Sequence, residues 1–199
     1  MKSTNPAESS TPTSNGPPQR DARGALLLIS LLVIVIDRCT KLWVDRNIPL
    51  DGGILVIPHF FRLSHVLNTG AAFSIFADSL TPATVRGGLI AFSVLAACIV
   101  FFLLWKVGRI FTLTSFSLAL ILGGAIGNLY DRVALGHVID FLEVHIETYH
   151  WPDFNVADSA ISVGACLLLI EIFRAQPDPV ELNTVTSESE DRREEQPLP

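Results

Sequence analysis

Two uninterrupted apolar runs limit what this chain can fold into more than any other feature. Between Arg86 and Lys106 lie 19 uncharged residues, GGLIAFSVLAACIVFFLLW, and between Arg109 and Asp131 lie 21. A helix needs roughly 20 residues to cross about 30 Å of hydrocarbon. Two further runs are too short alone: 13 uncharged residues from Gly24 to Ile36, and 12 from Ser159 to Ile170. They reach the required length only if ALLLISLLVIVIDRCTKLWV and VADSAISVGACLLLIEIF take Asp37 and Asp158 to the membrane boundary. An acid at that depth is costly, so each is a functional candidate by default. The expectation is an all-α membrane protein with four transmembrane helices, near 24–44, 83–106, 110–131 and 156–174. A mean hydropathy of +0.44 and only 17% charged residues agree with it.

The ends have a different composition. Residues 1–23 are rich in Ser, Thr, Pro and Asn, and residues 175–199 carry the charge run ESEDRREE. Neither can bury enough apolar surface to offset ordering entropy, so both read as disordered tails around one domain at 24–174. The first apolar run follows a long polar tail and lacks a small-x-small cleavage site, so it reads as retained and not as a cleaved signal. Cys39, Cys98 and Cys166 lie in or beside apolar runs and read as small buried hydrophobes, not as disulfide or metal ligands. No basic stripe points to nucleic acid.

With both tails on one side, that side carries eight Lys and Arg residues against six on the other. This small positive-inside bias puts the tails in the cytoplasm. Trp43, Trp105, Tyr130 and Trp151 fall near the predicted helix ends, as interfacial aromatics do. The opposite face receives two connections. Residues 45–82 include ILVIPHFFRLSHVLN, which partly reads as strands around Pro58, a small extracytoplasmic β-rich segment between helices one and two. Residues 132–155 carry Asp140. Asp37, Asp131, Asp140 and Asp158 therefore all converge on that face.

On the third helix Gly124, Asn128 and Asp131 share one face by i, i+4, i+7 spacing, and Gly123 and Gly127 allow close helix approach. Asp158, Ser162 and Ala165 give the fourth helix a similar small, polar face. Taken singly, these residues have structural readings: Asp131–Arg132 as a boundary ion pair, Asn155 as a helix cap, Asp158 as a partner of the helix dipole. Three acids and the amides Asn68, Asn128 and Asn155 near one face are harder to explain that way. No HExxH, GxSxG or GxxxxGK[ST] motif occurs, and the five histidines show no ligand spacing. Carboxylates are then the available acid–base groups. Two close carboxylates share one proton, so one can activate water while the other protonates the developing oxyanion or amine. An ion transporter and a helical scaffold remain alternatives. The apolar centres of helices two and three count against the first, and the clustered acids against the second.

Four blocks make the pattern specific: DRCTK at 37–41, NTGAAFS at 68–74, GGAIGNLYDRVALGHVIDF at 123–141 and FNVADS at 154–159. Together they resemble the lipoprotein signal peptidases (signal peptidase II), aspartic peptidases of the bacterial inner membrane. The resemblance implies a catalytic pair Asp140 and Asp158, with Asn68, Asn128, Arg132 and Asn155 lining the substrate site. It implies structural support from Asp37, Lys41, Asp131, Gly70, Gly124 and Gly127. It further implies a diacylglyceryl-modified prolipoprotein as substrate, cut just before the lipidated cysteine near the periplasmic face. No cofactor or metal is expected, the enzyme is expected to be a monomer in membrane lipid, and both termini are expected to be cytoplasmic. Arg38 departs from the family, which usually has Gln there, and puts an extra positive charge beside Asp37.

Overall fold

The computed structural model describes residues 21–70, 81–146 and 149–174. Residues 1–20 of the tail expected at 1–23, the tail expected at 175–199, and the end of NTGAAFS lie outside the described residues, while Arg23 already belongs to the first helix. The elements run α1 (Arg23–Asn47), β1 (Gly53–Ile57), β2 (Phe61–Asn68), α2 (Pro82–Val107), α3 (Leu113–Ala134), β3 (Val138–Ile146), β4 (Tyr149–His150) and α4 (Val156–Arg174). Local signals explain several ends. Thr81 accepts from the Thr84 N–H ahead of Pro82, and Thr112 and Ser115 cap α3 reciprocally. Three helices are long and apolar enough to cross a membrane: Ala83–Val107, Leu113–Ala134 and Val156–Arg174, with mean hydropathies of 2.6, 1.4 and 1.9. α1 is as long, but Asp37, Arg38, Lys41, Asp45 and Arg46 interrupt its C-terminal half.

α3 is the hub, packing against α1, α2 and α4. In hydrocarbon a leucine gains little by leaving lipid for protein, so close approach and polar contacts must hold such helices together. Both occur here. A Cβ on Gly123 would lie 2.8 Å from the Ser30 carbonyl oxygen of α1, and one on Gly164 2.7 Å from the Ser117 carbonyl oxygen of α3. Ser30 Oγ donates to the Ala119 carbonyl at 2.8 Å. Large side chains point outward: Phe173 is 76% exposed and Phe92 70%, as suits faces turned to lipid.

The architecture corrects four expectations. The fold is mostly helical but not all-α, because a four-stranded antiparallel sheet in the order β1-β2-β3-β4 caps one end. That sheet is not confined to the first connection, since β3 and β4 come from residues 138–150. β1 and β2 turn at Pro58–Phe60, with His59 at φ 61°, near where strands were anticipated. β3 escaped notice because Val138, Ile139, Asp140 and Phe141 are all buried, so no alternation marks them as a strand. The face of α4 against α3 is Ala157, Ile161 and Gly164, one position from the one anticipated. Ser162 is exposed. The three cysteines are exposed and free, not buried.

Candidate active site

Five elements, α1, α3, α4, β2 and β3, meet where the helical bundle joins the sheet. α1 supplies Asp37 and Lys41, one turn apart and both buried. Lys41 Nζ donates to Asp37 Oδ2 at 2.8 Å and to Asn128 Oδ1 of α3 at 3.1 Å. It also lies 2.8 Å from Asp131 Oδ2, an ion pair bent away from hydrogen-bond geometry. Arg38 reaches Asp131 Oδ1 at 3.4 Å and stacks over Tyr130. Two acids thus face two cations. Asp131 pairs with Lys41 and Arg38, and not with Arg132 as its sequence neighbour suggested. Adjacent helical residues point about 100° apart, and Arg132 donates instead to the Asn128 carbonyl at 3.3 Å.

Asp37 also ties α1 to α4. Its Oδ1 accepts from the Ala157 N–H at 2.9 Å, in the first turn of α4, where unpaired N–H groups favour a negative charge. Gly127 permits this, since a Cβ there would lie 2.9 Å from Asp37 Oδ2. Gly124 likewise leaves room for the Ala157 carbonyl.

Asn155 precedes α4 and caps it. Its Oδ1 accepts from the Asp158 N–H at 3.0 Å, while Asp158 Oδ2 accepts from the Asn155 N–H at 3.2 Å, a reciprocal capping box. The same residue reaches the sheet, where its Nδ2 donates to Asp140 Oδ1 at 2.7 Å. Asp140 lies on β3 opposite Val66. Its other oxygen accepts from Asn68 Nδ2 at 3.0 Å, and Asn68 is itself held by the Gly70 N–H at 2.9 Å. Gly70 adopts φ 86°, a conformation that favours glycine. Asn128 Nδ2 donates to Asp158 Oδ1 at 2.7 Å.

Asp140 and Asp158 therefore share Asn155 and are held by amides. Burial pushes the Asp140 carboxyl up to about 6; the Asn68 hydrogen bond opposes the rise, the Asp158 charge adds to it, and Asn155 and Lys41 oppose it. A carboxyl poised there can hold or release a proton near neutral pH. Asp158 is partly open to solvent. The link from Lys41 through Asn128 to Asp158 is a contact the sequence did not reveal. Its partners are 87 residues apart, and no local spacing encodes it.

The chain is also similar to known proteins. The family model for signal peptidase (SPase) II matches residues 29–174. A lipoprotein signal peptidase of Pseudomonas putida (strain KT2440) is 48% identical over 164 residues, covering 81% of this chain and 95% of that protein. The lipoprotein signal peptidase of Pseudomonas aeruginosa (strain PAO1) is 43% identical over 162 residues, 80% of this chain and 95% of its own. A bacterial membrane enzyme solved by the in meso method at 1.9 Å superposes with a TM-score of 0.71 at 26% identity, over 79% of this chain and 99% of that one. On the strength of a match across nearly all of its described residues, the chain belongs to the signal peptidase II family, the membrane proteases that process lipoproteins.

Proposed function

We propose that this protease removes the signal peptide from diacylglyceryl-modified prolipoproteins by cutting just before the lipidated cysteine, with Asp140 and Asp158 as the catalytic pair. One observation carries the reading: Asn155 donates to one carboxylate and forms a capping box with the other, so a single residue sets their relation. In this mechanism Asp140 holds the shared proton and delivers it to the developing oxyanion or the leaving amine. Asp158 takes a proton from the attacking water. Asn68, Asn128 and Asn155 keep both carboxyls oriented, and Arg132 borders the substrate site. Asp37, Lys41, Asp131 and the glycines at 70, 124 and 127 support it. The two aspartates exchange protons directly with water and substrate, with no cofactor.

The setting belongs to the same proposal. α1 is the fourth span, its charges gathered at the boundary and neutralised in pairs. The enzyme works as a monomer in the bacterial inner membrane, with both termini in the cytoplasm and the site near the periplasmic face. A lipid-anchored cysteine keeps the scissile bond at that boundary. An apolar groove between α1 and the sheet, lined by Cys39, Trp43, Val44, Leu63 and Phe141, suits an acyl chain. A gel-shift assay with a lipidated prolipoprotein tests the reading. Wild type shortens the substrate and Asp158→Asn leaves it uncut; full processing by the variant would overturn the assignment.

A further inference from the structure

At the far end of β3 the hairpin gathers a second set of ionisable groups that the proposed peptidase chemistry does not use. Glu143 and His145 point to one side of the strand, since side chains two apart share a face. His150 of β4 is the cross-strand partner of His145, and their rings stack at 4.8 Å with 16° between planes. Glu143 Oε1 lies 2.7 Å from His145 Nε2 and 3.4 Å from His150 Nε2. Asp153 Oδ1, three residues on, lies 3.5 Å from His150 Nε2; it is buried and accepts no hydrogen bond. One donor atom from each of Glu143, His145 and His150 lies within 4.8 Å of the others.

We propose that Glu143, His145, His150 and Asp153 bind one Zn²⁺-class divalent ion. Two imidazoles and two carboxylates form a donor set that Zn²⁺ accepts. Tetrahedral ligation at about 2.0–2.2 Å places donor atoms roughly 3.4 Å apart. The pairs above stand at 2.7, 3.4 and 3.5 Å, with up to 4.8 Å within the Glu143–His145–His150 set, so the side chains must shift to close on an ion. Glu143 is anchored for the role: its Oε2 pairs with Arg62 Nη1 at 3.0 Å, leaving Oε1 for an ion. In the competing account, plain histidine–carboxylate ion pairs, Asp153 Oδ1 has only His150 Nε2 at 3.5 Å, outside hydrogen-bond geometry. The spacing E-x-H-x4-H-x2-D is not a familiar ligand motif, and only the hairpin brings its members together.

The ion would act as a clasp and not as a catalyst. Beside it, Leu142 and Phe154 exchange backbone hydrogen bonds of 2.8 and 3.1 Å, holding the segment that leads into Asn155 against β3. Occupancy would stitch the hairpin to that segment. The test uses untagged, full-length enzyme in detergent, stripped with chelator and titrated with ZnCl₂. The expected result is one equivalent bound by calorimetry and metal analysis, with a higher melting temperature and no comparable response to MgCl₂. His145→Ala and His150→Ala should each weaken binding about 10- to 100-fold while still processing prolipoprotein, which shows that they fold. Asp140→Asn should bind Zn²⁺ as wild type does, which separates this site from the catalytic reading. Failure of the wild type to bind a saturable equivalent, or full affinity in the His145→Ala/His150→Ala double variant, would overturn the proposal. Should both variants lose processing, Co²⁺ titration of wild type decides: a tetrahedral absorption spectrum supports the site and its absence overturns it.

Discussion

Four aspartates crowd the junction of bundle and sheet, and their surroundings divide them into two pairs. Asp37 and Asp131 face Lys41 and Arg38, so their charge is matched by cations at 2.8–3.4 Å. Asp140 and Asp158 face amides: Asn68, Asn128 and Asn155 donate to them, and no cation forms an ion pair with either among the described residues. A neighbouring cation acts on a carboxylate through a full charge, whereas an amide donor acts through a single oriented hydrogen bond. The same side chain thus sits among cations in one cluster and among amides in the other. Asn128 joins them, accepting from Lys41 and donating to Asp158.

The contrast can be broken by changing one residue in either half. Asp140→Asn should lower processing by about 10²–10⁴-fold, the usual worth of general acid–base catalysis. Prolipoprotein turnover by gel shift, alongside thermal unfolding in detergent, checks that activity falls while the fold persists. Lys41→Met should act in the opposite sense. Leaving two buried carboxylates without their shared cation costs about 3–5 kcal/mol, read as a lower unfolding midpoint. Neutralising Asp37 and Asp131 to Asn in the same chain should recover part of the loss. No recovery would mean that Lys41 matters through packing and not charge.

A third measurement sharpens the distinction by titration. If Asp140 must hold the proton, kcat/KM falls as pH rises through about 6, by about tenfold per unit well above it. The profile reports the coupled pair and not one residue. The same rise gives the folded state more bound protons than the unfolded one between the ordinary 3.8 and about 6. This group's contribution to stability therefore declines as pH climbs through that window. A rate profile flat from pH 5 to 8 would break the proton assignment. The smallest effect is expected from Arg38→Gln. Its pair with Asp131 is partly exposed, so stability should drop by less than about 1 kcal/mol, and turnover should stay within about twofold, checked by melting and gel shift.

Much of this arrangement was visible in the chain, and what was hidden shares a physical cause. Apolar runs, with their charged limits, placed helices within three residues of where they lie. The blocks holding Asn68, Asn128, Asp140, Asn155 and Asp158 were recognisable because each keeps its order and local spacing. Lys41 reaching Asp131, Asp37 reaching Ala157, and His145 meeting His150 were not, since each depends on how separate elements pack. β3 lacked alternation because sheet and bundle bury both its faces. The offset on α4 has a similar origin: contact with α3 is chosen by where Ala157 and Gly164 admit a neighbour's backbone, not by where the polar residues stand.

The hydrogen bond from Ala157 to Asp37 also joins segments 120 residues apart in the chain. Asp37 and Lys41 are one turn apart, so α1 by itself already pairs these two charges. Asp131 joins when α3 follows, and it meets Lys41 and Arg38 already waiting. The Ala157 partner of Asp37 arrives only with α4, the last of the described helices in chain order. Asp158 stands one residue beyond Ala157, so a nascent chain missing its last span has neither the clamp nor the second acid. On the proposed pairing of Asp140 with Asp158, a chain that lacks α4 should therefore be inactive.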